Sequence, residues 1–428
     1  MEKAIFDEMI ATRRKLHRRP EEGWTEFETE ALVVERLRSL GCFELLLGTK
    51  AVSPEAVMGR DPALVEKAIA RALENGVPQR LIDETEGYTG VVAVLRTGRP
   101  GPVTAFRCDM DCVLVEESAE RSHEPAAEGF ASCRPGLMHA CGHDSHTAVM
   151  LAVARWLAEH RDELCGTVKL LFQPAEEGVR GGAAMAASGA VDDVDQLIGA
   201  HVGTFAKLGE VGIMADGFMA STKIDIHFEG VPSHAGSDPD KGRSALMAAC
   251  ATAMMMQGIP RHGRGATRVA VGRLVAGEGR NVTPVHAFMQ TEVRGETGEI
   301  NDYMVENVRR IVEGSARAYG VKCRIEKAGE ATTLTDCPAL DEEIRAAAEA
   351  TEGVKRVFTV TKPAGSEDCT MLIRRVAEHG GRGGYFLFGC NHHGHHRSDF
   401  EIQDTVSMPI GFGVFVNLAK RLNGAKKA

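Results

Sequence analysis

Five short apolar runs constrain this chain more than any other feature: VVAVL (91–95), VTAFRC (103–108), VKLLFQ (168–173), LIGAHV (197–202) and YFLFGC (385–390). Helical patterns such as 147–160 lie between them, and buried strands alternating with helices specify an α/β sheet. Four of the runs lead directly into residues able to do chemistry. These are Asp109 and Asp111; Glu176 and Glu177; His201, inside its own strand end; and His392, His393, His395 and His396. Ligands of open α/β sheets gather at the carboxyl ends of strands, so the pattern points to one shared site.

The segment 218–328 has another grammar. KIDIHFEG alternates with period two, 244–256 is helical, RVAVGRLVAG and VHAFMQTEVRG are strands, 301–319 is a helix and KCRIEKAG is a last strand. That order, β-α-β-β-α-β, is ferredoxin-like. The segment carries 15 Lys and Arg against 12 Asp and Glu, net +3 in a chain of net charge −10, and the asymmetry marks a separate unit. Because the fifth apolar run lies beyond it, the expected plan is one domain, 1–217 and 329–428, with a second, 218–328, inserted. The glycine-bearing junctions Asp216-Gly217 and Ala328-Gly329 are candidate hinges for a closing lid. Two packing helices are expected near the N-terminus, one striped by Phe6, Met9, Ile10, Arg13 and Leu16, the other by Phe27, Ala31, Val34 and Leu37 with a stop at Gly41. Residues 44–89 read as an insertion with one amphipathic helix ended by Asn75 and Gly76.

Composition narrows the function classes. At 428 residues, 43% hydrophobic and 26% charged, the chain suits two or three folded domains and not a disordered or disulfide-scaffold protein. Net acidity and only 5% aromatic residues argue against a nucleic-acid partner. No run approaches the ~20 apolar residues of a membrane span. MEKAIFDEMIATRRKLHRR has its basic cluster after the apolar residues and no continuous apolar core, so it does not read as a secretory signal, and the cytoplasm is the expected compartment. Eleven cysteines read as thiols, some of them candidate ligands.

In MHACGHDSHT (138–147), Cys141 and His143 can turn a sulfur and an imidazole nitrogen toward one metal; alone, the motif serves equally well as a polar helix entry. In QPAEEG (173–178) one carboxylate can bind metal while its neighbour handles the proton of a water. A lone Glu-Glu pair is more often two solvated acids, but Gln-Pro and Gly around it make a sharp exit from an apolar strand. His201 alone reads more readily as a core histidine, and the histidine cluster could equally lie on the surface. The joint occurrence of thiol, imidazoles and carboxylates at converging strand ends is what carries the inference.

RRKLHRRPEEGWTEFET, FRCDMDC, MHACGHDSHT, FQPAEEGVRGG, GAHVG, SHAG, GRNVTP, GSEDCTML and the final His-x-x-x-Phe together resemble the aminoacylase/carboxypeptidase superfamily of co-catalytic metallohydrolases, in its amidohydrolase branch. The insertion after Gly41, the phrases YTGVVAVLRTGRPGPVTAFR and GFASC, and VDDVD are most similar to its aminobenzoyl-glutamate-hydrolysing members. The resemblance implies a zinc-peptidase-like catalytic domain with a mixed, mainly parallel sheet and an inserted ferredoxin-like lid or dimerisation domain. It also implies roles. Cys141, His143, Glu177, His201 and His396 match the metal ligands, with His395 the alternative to His396, and Glu176 matches the general base. Asp109 matches the aspartate that orients a ligand histidine, and His234 a lid histidine that steadies the oxyanion. Asn281 and Arg294 match the pair that grips the substrate carbonyl and carboxylate, and Glu367 lines the metal pocket. Arg107 stands where the carboxypeptidase branch has a histidine.

The implied reaction is hydrolysis of an N-acyl amino acid by two divalent ions, most simply p-aminobenzoyl-glutamate to p-aminobenzoate and glutamate. A thiolate ligand disfavours Mg²⁺ and Ca²⁺ and leaves Mn²⁺, Zn²⁺, Co²⁺ or Ni²⁺. Other acyl groups (benzoyl, acetyl, indoleacetyl) are the first alternative, and a metal-binding assembly partner beside an active paralogue is the second. The expected assembly is a homodimer or a heterodimer with a paralogous chain. For a glutamate side chain, Lys223, Arg180 and Arg280 are the candidate counter-cations.

Overall fold

The computed structural model describes residues 2–215, 217–335, 337–361 and 365–425. Two compact units divide it: Met1–Gly217 with Leu334–Ala428, and Phe218–Thr333. In chain order the first unit contains α1 (Glu2–His17), α2 (Phe27–Leu40), β1 (Glu44–Leu47), α3 (Pro62–Glu74), α4 (Gln79–Thr85), β2 (Val91–Arg96), β3 (Val103–Asp109), α5 (Glu124–Glu128), α6 (His143–Glu159), β4 (Thr167–Gln173), α7 (Gly182–Ala187), β5 (Gln196–Val202) and β6 (Glu210–Met214). The second unit contains β7 (Ala220–Glu229), α8 (Ala245–Gln257), β8 (Thr267–Ala276), β9 (His286–Gly295), α9 (Gly298–Tyr319) and β10 (Lys322–Ala331). The first resumes with α10 (Asp341–Glu349), β11 (Arg356–Val360), α11 (Cys369–Glu378), β12 (Arg382–Phe388) and α12 (Asp404–Asn423).

The first unit's sheet has the order β1-β2-β4-β3-β5-β12-β6-β11. At its centre β4, β3, β5 and β12 are mutually parallel, so their carboxyl ends fall on one edge of the sheet. These are the four strands whose sequences run into reactive residues, and the topology gathers those residues. Antiparallel pairings of β1 with β2, β2 with β4, and β6 with β12 complete a mixed sheet. Against it α6 buries all but three of its 17 residues in a core shared with α1, α2 and α12. Truncating one of its fully buried side chains, such as Leu157, would cost about 2–5 kcal/mol. Gly142 opens α6 with φ +86°, and a Cβ there would lie 2.4 Å from Val202 Cγ1, so only glycine lets the Cys141 loop pass so close to the end of β5.

Three strands lie outside the five apolar runs: β1 and β11 at the sheet's edges and the five-residue β6. The insertion expected at 44–89 therefore begins as an edge strand of the main sheet, and it holds two helices where one was expected. Asp61 caps the first of them by accepting the Ala63 N–H.

The second unit's sheet has the order β10-β7-β9-β8, and α8 and α9 bury one of its faces. Its last strand passes a bulge between Lys327 and Gly329 and stays paired with β7 as far as Ala331. The compact unit accordingly ends at Thr333, beyond the boundary expected at 328. Of the two expected hinge junctions, Gly329 lies within that paired strand, and Asp216 lies outside the described residues. Among the described residues no helix is long and apolar enough to cross a membrane, and every cysteine is a free thiol.

Candidate metal centre

Cys141 sits on the loop entering α6, and His143 is that helix's first residue. The donor atoms of Cys141, His143 and His201 lie within 4.8 Å of one another; so do those of Cys141, Glu177 and His396, and those of His143, Glu176 and Glu177. Cys141 Sγ is 3.4 Å from His201 Nε2, and His396 Nε2 is 3.1 Å from Glu177 Oε1. His395 also approaches, with Nδ1 3.7 Å from Cys141 Sγ, but its Nε2 accepts the Thr204 N–H at 3.0 Å. Ala175, Val179, Thr204 and His396 hold φ between 50° and 60°. Four non-glycine residues in the left-handed region, each costing on the order of 1 kcal/mol or more, mark a site whose loops are held by their surroundings.

The donor set fits divalent cations. His201 Nδ1 is 2.7 Å from the carbonyl of Val202, so it donates there and leaves the Nε2 lone pair facing Cys141. His143 Nε2 is buried without a hydrogen-bond partner, 3.9 Å from Glu177 Oε1 and 4.0 Å from Glu176 Oε2. Imidazole nitrogens, a thiol and carboxylates converging, once deprotonated, are what a thiophilic divalent ion needs. Burial, then Glu177 and Glu176, push the Cys141 thiol well above its ordinary range. Burial lowers His143, but Asp109 and Asp111 overcome it and raise the ring to about 10. A cation bound by these two residues would therefore release protons.

The adjacent carboxylates differ in the way acid–base chemistry requires. Burial, then Glu367, Glu177 and Asp368, raise Glu176 well above the carboxylate range. Glu177 is raised by burial, but His396 and His143 outweigh it and hold the group below that range. Two neighbouring acids pushed apart by environment fit one proton carrier and one ligand.

Asp109 does not hold the position expected of it. Its Oδ1 is 2.6 Å from His146 Nδ1 and its Oδ2 accepts from Arg107 at 2.7 Å, while it lies 3.7 Å from His143 Nδ1. Asp111, two residues further along the turn, is the nearer partner of that ring at 3.2 Å, and it also accepts the N–H groups of Glu176 and Glu177. His146 relays the grip by accepting the Val202 N–H at 2.8 Å. Arg107 is a fully buried counter-ion that binds Asp109, Gln173 Oε1, Glu367 Oε1 and Asp368 Oδ1. Glu367 lies in a cluster with Glu176 and Asp368, braced by the hydroxyl of Tyr385 at 2.6 Å. Sequence reasoning missed Asp111, His146 and Asp368 as supports. The second aspartate of D-M-D and the histidine three residues after His143 were the available signals.

In the second unit His234 and Asn281 are exposed neighbours: Ala235 donates to the Asn281 carbonyl at 3.1 Å, and His234 bridges to Val282. His234 Nδ1 accepts from Gly236 and Ser237, which leaves its Nε2–H to donate. Arg294 lies apart on β9, paired with Glu292 at 3.0 Å. Of the candidate counter-cations, Arg180 braces the carbonyls of Glu177 and Gly59 in the first unit, and Lys223 shares Glu292 with Arg294.

Residues 105–421 match peptidase family M20/M25/M40, and the chain belongs to that family. A p-aminobenzoyl-glutamate hydrolase homolog of Haemophilus influenzae is 42% identical over 97% of this chain and 99% of its own length. An indole-3-acetyl-aspartic acid hydrolase of Enterobacter agglomerans is 44% identical over 94% of this chain and 93% of its own. The crystal structure of an aminobenzoyl-glutamate utilization protein from Klebsiella pneumoniae superposes with a TM-score of 0.83 at 37% identity, covering 98% of this chain and 96% of that one. The chain is thus a hydrolase of amide bonds, and enzymes of its family depend on a pair of metal ions.

Proposed function

We propose that this enzyme cleaves N-acyl derivatives of dicarboxylic amino acids, with p-aminobenzoyl-glutamate the first substrate to test. The observation that carries the reaction is the convergence of Cys141, His143, His201, His396 and the adjacent carboxylates Glu176 and Glu177 into overlapping donor clusters. Relatives named for N-acyl glutamate and N-acyl aspartate hydrolysis support the substrate class.

In this reading Cys141, His143, Glu177, His201 and His396 hold two divalent ions, drawn from Zn²⁺, Mn²⁺, Co²⁺ and Ni²⁺. When bound, the ions supply Lewis acidity toward the amide carbonyl and make a nearby water acidic. Glu176 takes a proton from the attacking water on its carboxylate and returns it to the departing nitrogen. Asp111 holds the His143 ring, and Asp109 acts one step removed, through His146 and Arg107. The Nε2–H of His234 and the amide of Asn281 are donors for the carbonyl oxygen as it gains charge, Arg294 receives the α-carboxylate as a planar fork, and Glu367 lines the pocket beside Glu176. We infer a cytoplasmic dimer, built from two copies or with a paralogous chain.

The test is to load the purified chain with Mn²⁺ or Zn²⁺ and follow p-aminobenzoyl-glutamate and indoleacetyl-aspartate. Release of aminobenzoate and glutamate in a one-to-one ratio is expected, and failure to cleave any N-acyl amino acid, with or without a paralogous chain, would overturn the reading.

A further inference from the structure

The open face of the second sheet carries a charge pattern that neither the fold nor the amide chemistry explains. Along β7, Thr222, Ile224, Ile226 and Phe228 turn toward α8 and α9, and the alternate residues Ser221 and Lys223 face the other way. Across the ladder Ser221 pairs with Arg294 and Lys223 with Glu292, while Arg268 of β8 pairs with Arg294 from the opposite side. Lys223 and Arg294 therefore converge on one carboxylate, and Arg268 lies beside Arg294 on the next strand. Glu292 Oε1 accepts from Ser221 Oγ, Lys223 Nζ and Arg294 Nη2, each at 3.0 Å. One oxygen takes a single N–H from each cation, and both side chains keep further donors and about a third of their surface open.

This arrangement suits a dianion. Lys223 and Arg294 are fixed one carboxylate apart by Glu292, within reach of the two carboxylates of a single dicarboxylic amino acid. We propose that Lys223 is the specificity-determining residue for the side-chain carboxylate of an N-acyl glutamate or aspartate, with Arg294 taking the α-carboxylate and Glu292 and Ser221 setting the spacing. The inference rests on the N-acyl amino acid reading above and adds to it the residue that chooses the amino acid.

The experiment compares kcat/KM for p-aminobenzoyl-glutamate with that for p-aminobenzoyl-methionine, a neutral chain of similar length, in wild type, Lys223→Met and Lys223→Arg. The Glu-to-Met ratio is expected to fall about 50-fold in Lys223→Met, carried by KM, because a site built to pair a charge rejects the ligand once its partner is gone. Lys223→Arg should recover most of it. A merely structural lysine would lower both substrates together, and an unchanged ratio in Lys223→Met would overturn the proposal. Wild type that cleaves both substrates without preferring glutamate would also overturn it while leaving the reaction intact. Wild type that cleaves neither would instead bring down the underlying reading.

Discussion

In the first unit Cys141, His143 and Glu176 are buried and held by a continuous web of partners; in the second His234 and Asn281 stand exposed, and Arg294 is half-buried on an ordinary alternating strand. Under the proposed function, the difference divides the physics of one reaction. Where protons move and cations bind, low dielectric and like charge must shift affinities, so the residues are walled in and their neighbours matter as much as they do. Where a carboxylate must be gripped and released, the cations remain partly hydrated and need only spacing. Damage to the first region should therefore change protonation and metal binding, and damage to the second should change substrate affinity with little effect on folding.

The most severe way to probe the contrast is removal of metal. Chelation followed by desalting is expected to abolish turnover by at least about 10⁴-fold and to leave substrate-independent folding of the second unit intact, with activity returning on adding Mn²⁺ or Zn²⁺. Full turnover by protein shown to be metal-free would break the account of the buried cluster. Next, Arg294→Gln should lower kcat/KM by about 10²–10³-fold while shifting thermal stability little, since a half-exposed side chain outside a core seldom carries more than about 0.5 kcal/mol. A large loss of melting temperature would erase the distinction between the regions. Cys141→Ser should sharpen it differently: replacing sulfur by oxygen is expected to weaken Zn²⁺ about 10–100-fold, and more than Mn²⁺, as titration with each ion would show.

The smallest effect concerns a buried ion network behind the metal loop. His17 is 2.8 Å from Asp144 and 2.9 Å from Glu117. Burial and Arg13 lower its proton affinity, but Asp144 and Glu117 overcome them and raise it to about 9 from an ordinary 6.5. A group raised on folding contributes stability that is complete below about pH 6.5 and lost as pH rises through 9. Unfolding free energy should thus fall by about 2–3 kcal/mol between pH 6.5 and 9.5, and His17→Gln should flatten that slope. An equal slope in the variant would remove His17 from the account.

Much of this molecule is legible in its sequence, for identifiable reasons. The central strands β3, β4, β5 and β12 are buried on both faces and read as largely apolar runs, and their parallel pairing makes their ends converge. The second unit is equally plain because its strands keep a covered and an open face. β1, β6 and β11 are short, and two of them are edges, so neither period nor hydrophobicity marks them. Within the site, residues that offer donors to an open space announce themselves as Cys, His and Glu at strand ends. The supports do not. Asp111 and Asp109 are two residues apart on one turn, and only three-dimensional placement decides that His143 faces one and His146 the other. Arg107 looks like a lost ligand until the buried carboxylates around it are seen, and Lys223 is simply the lysine of an alternating strand until Glu292 joins it to Arg294.

The central claim is that adjacent acids have separate tasks, Glu176 moving a proton and Glu177 holding a cation. Metal content and turnover measured side by side in Glu176→Gln and Glu177→Gln test it most directly. Glu176→Gln is expected to retain its metal and lose turnover by about 10³–10⁴-fold, while Glu177→Gln loses both. Wild-type turnover in Glu176→Gln, or loss of its metal with Glu177→Gln remaining loaded, would contradict the assignment.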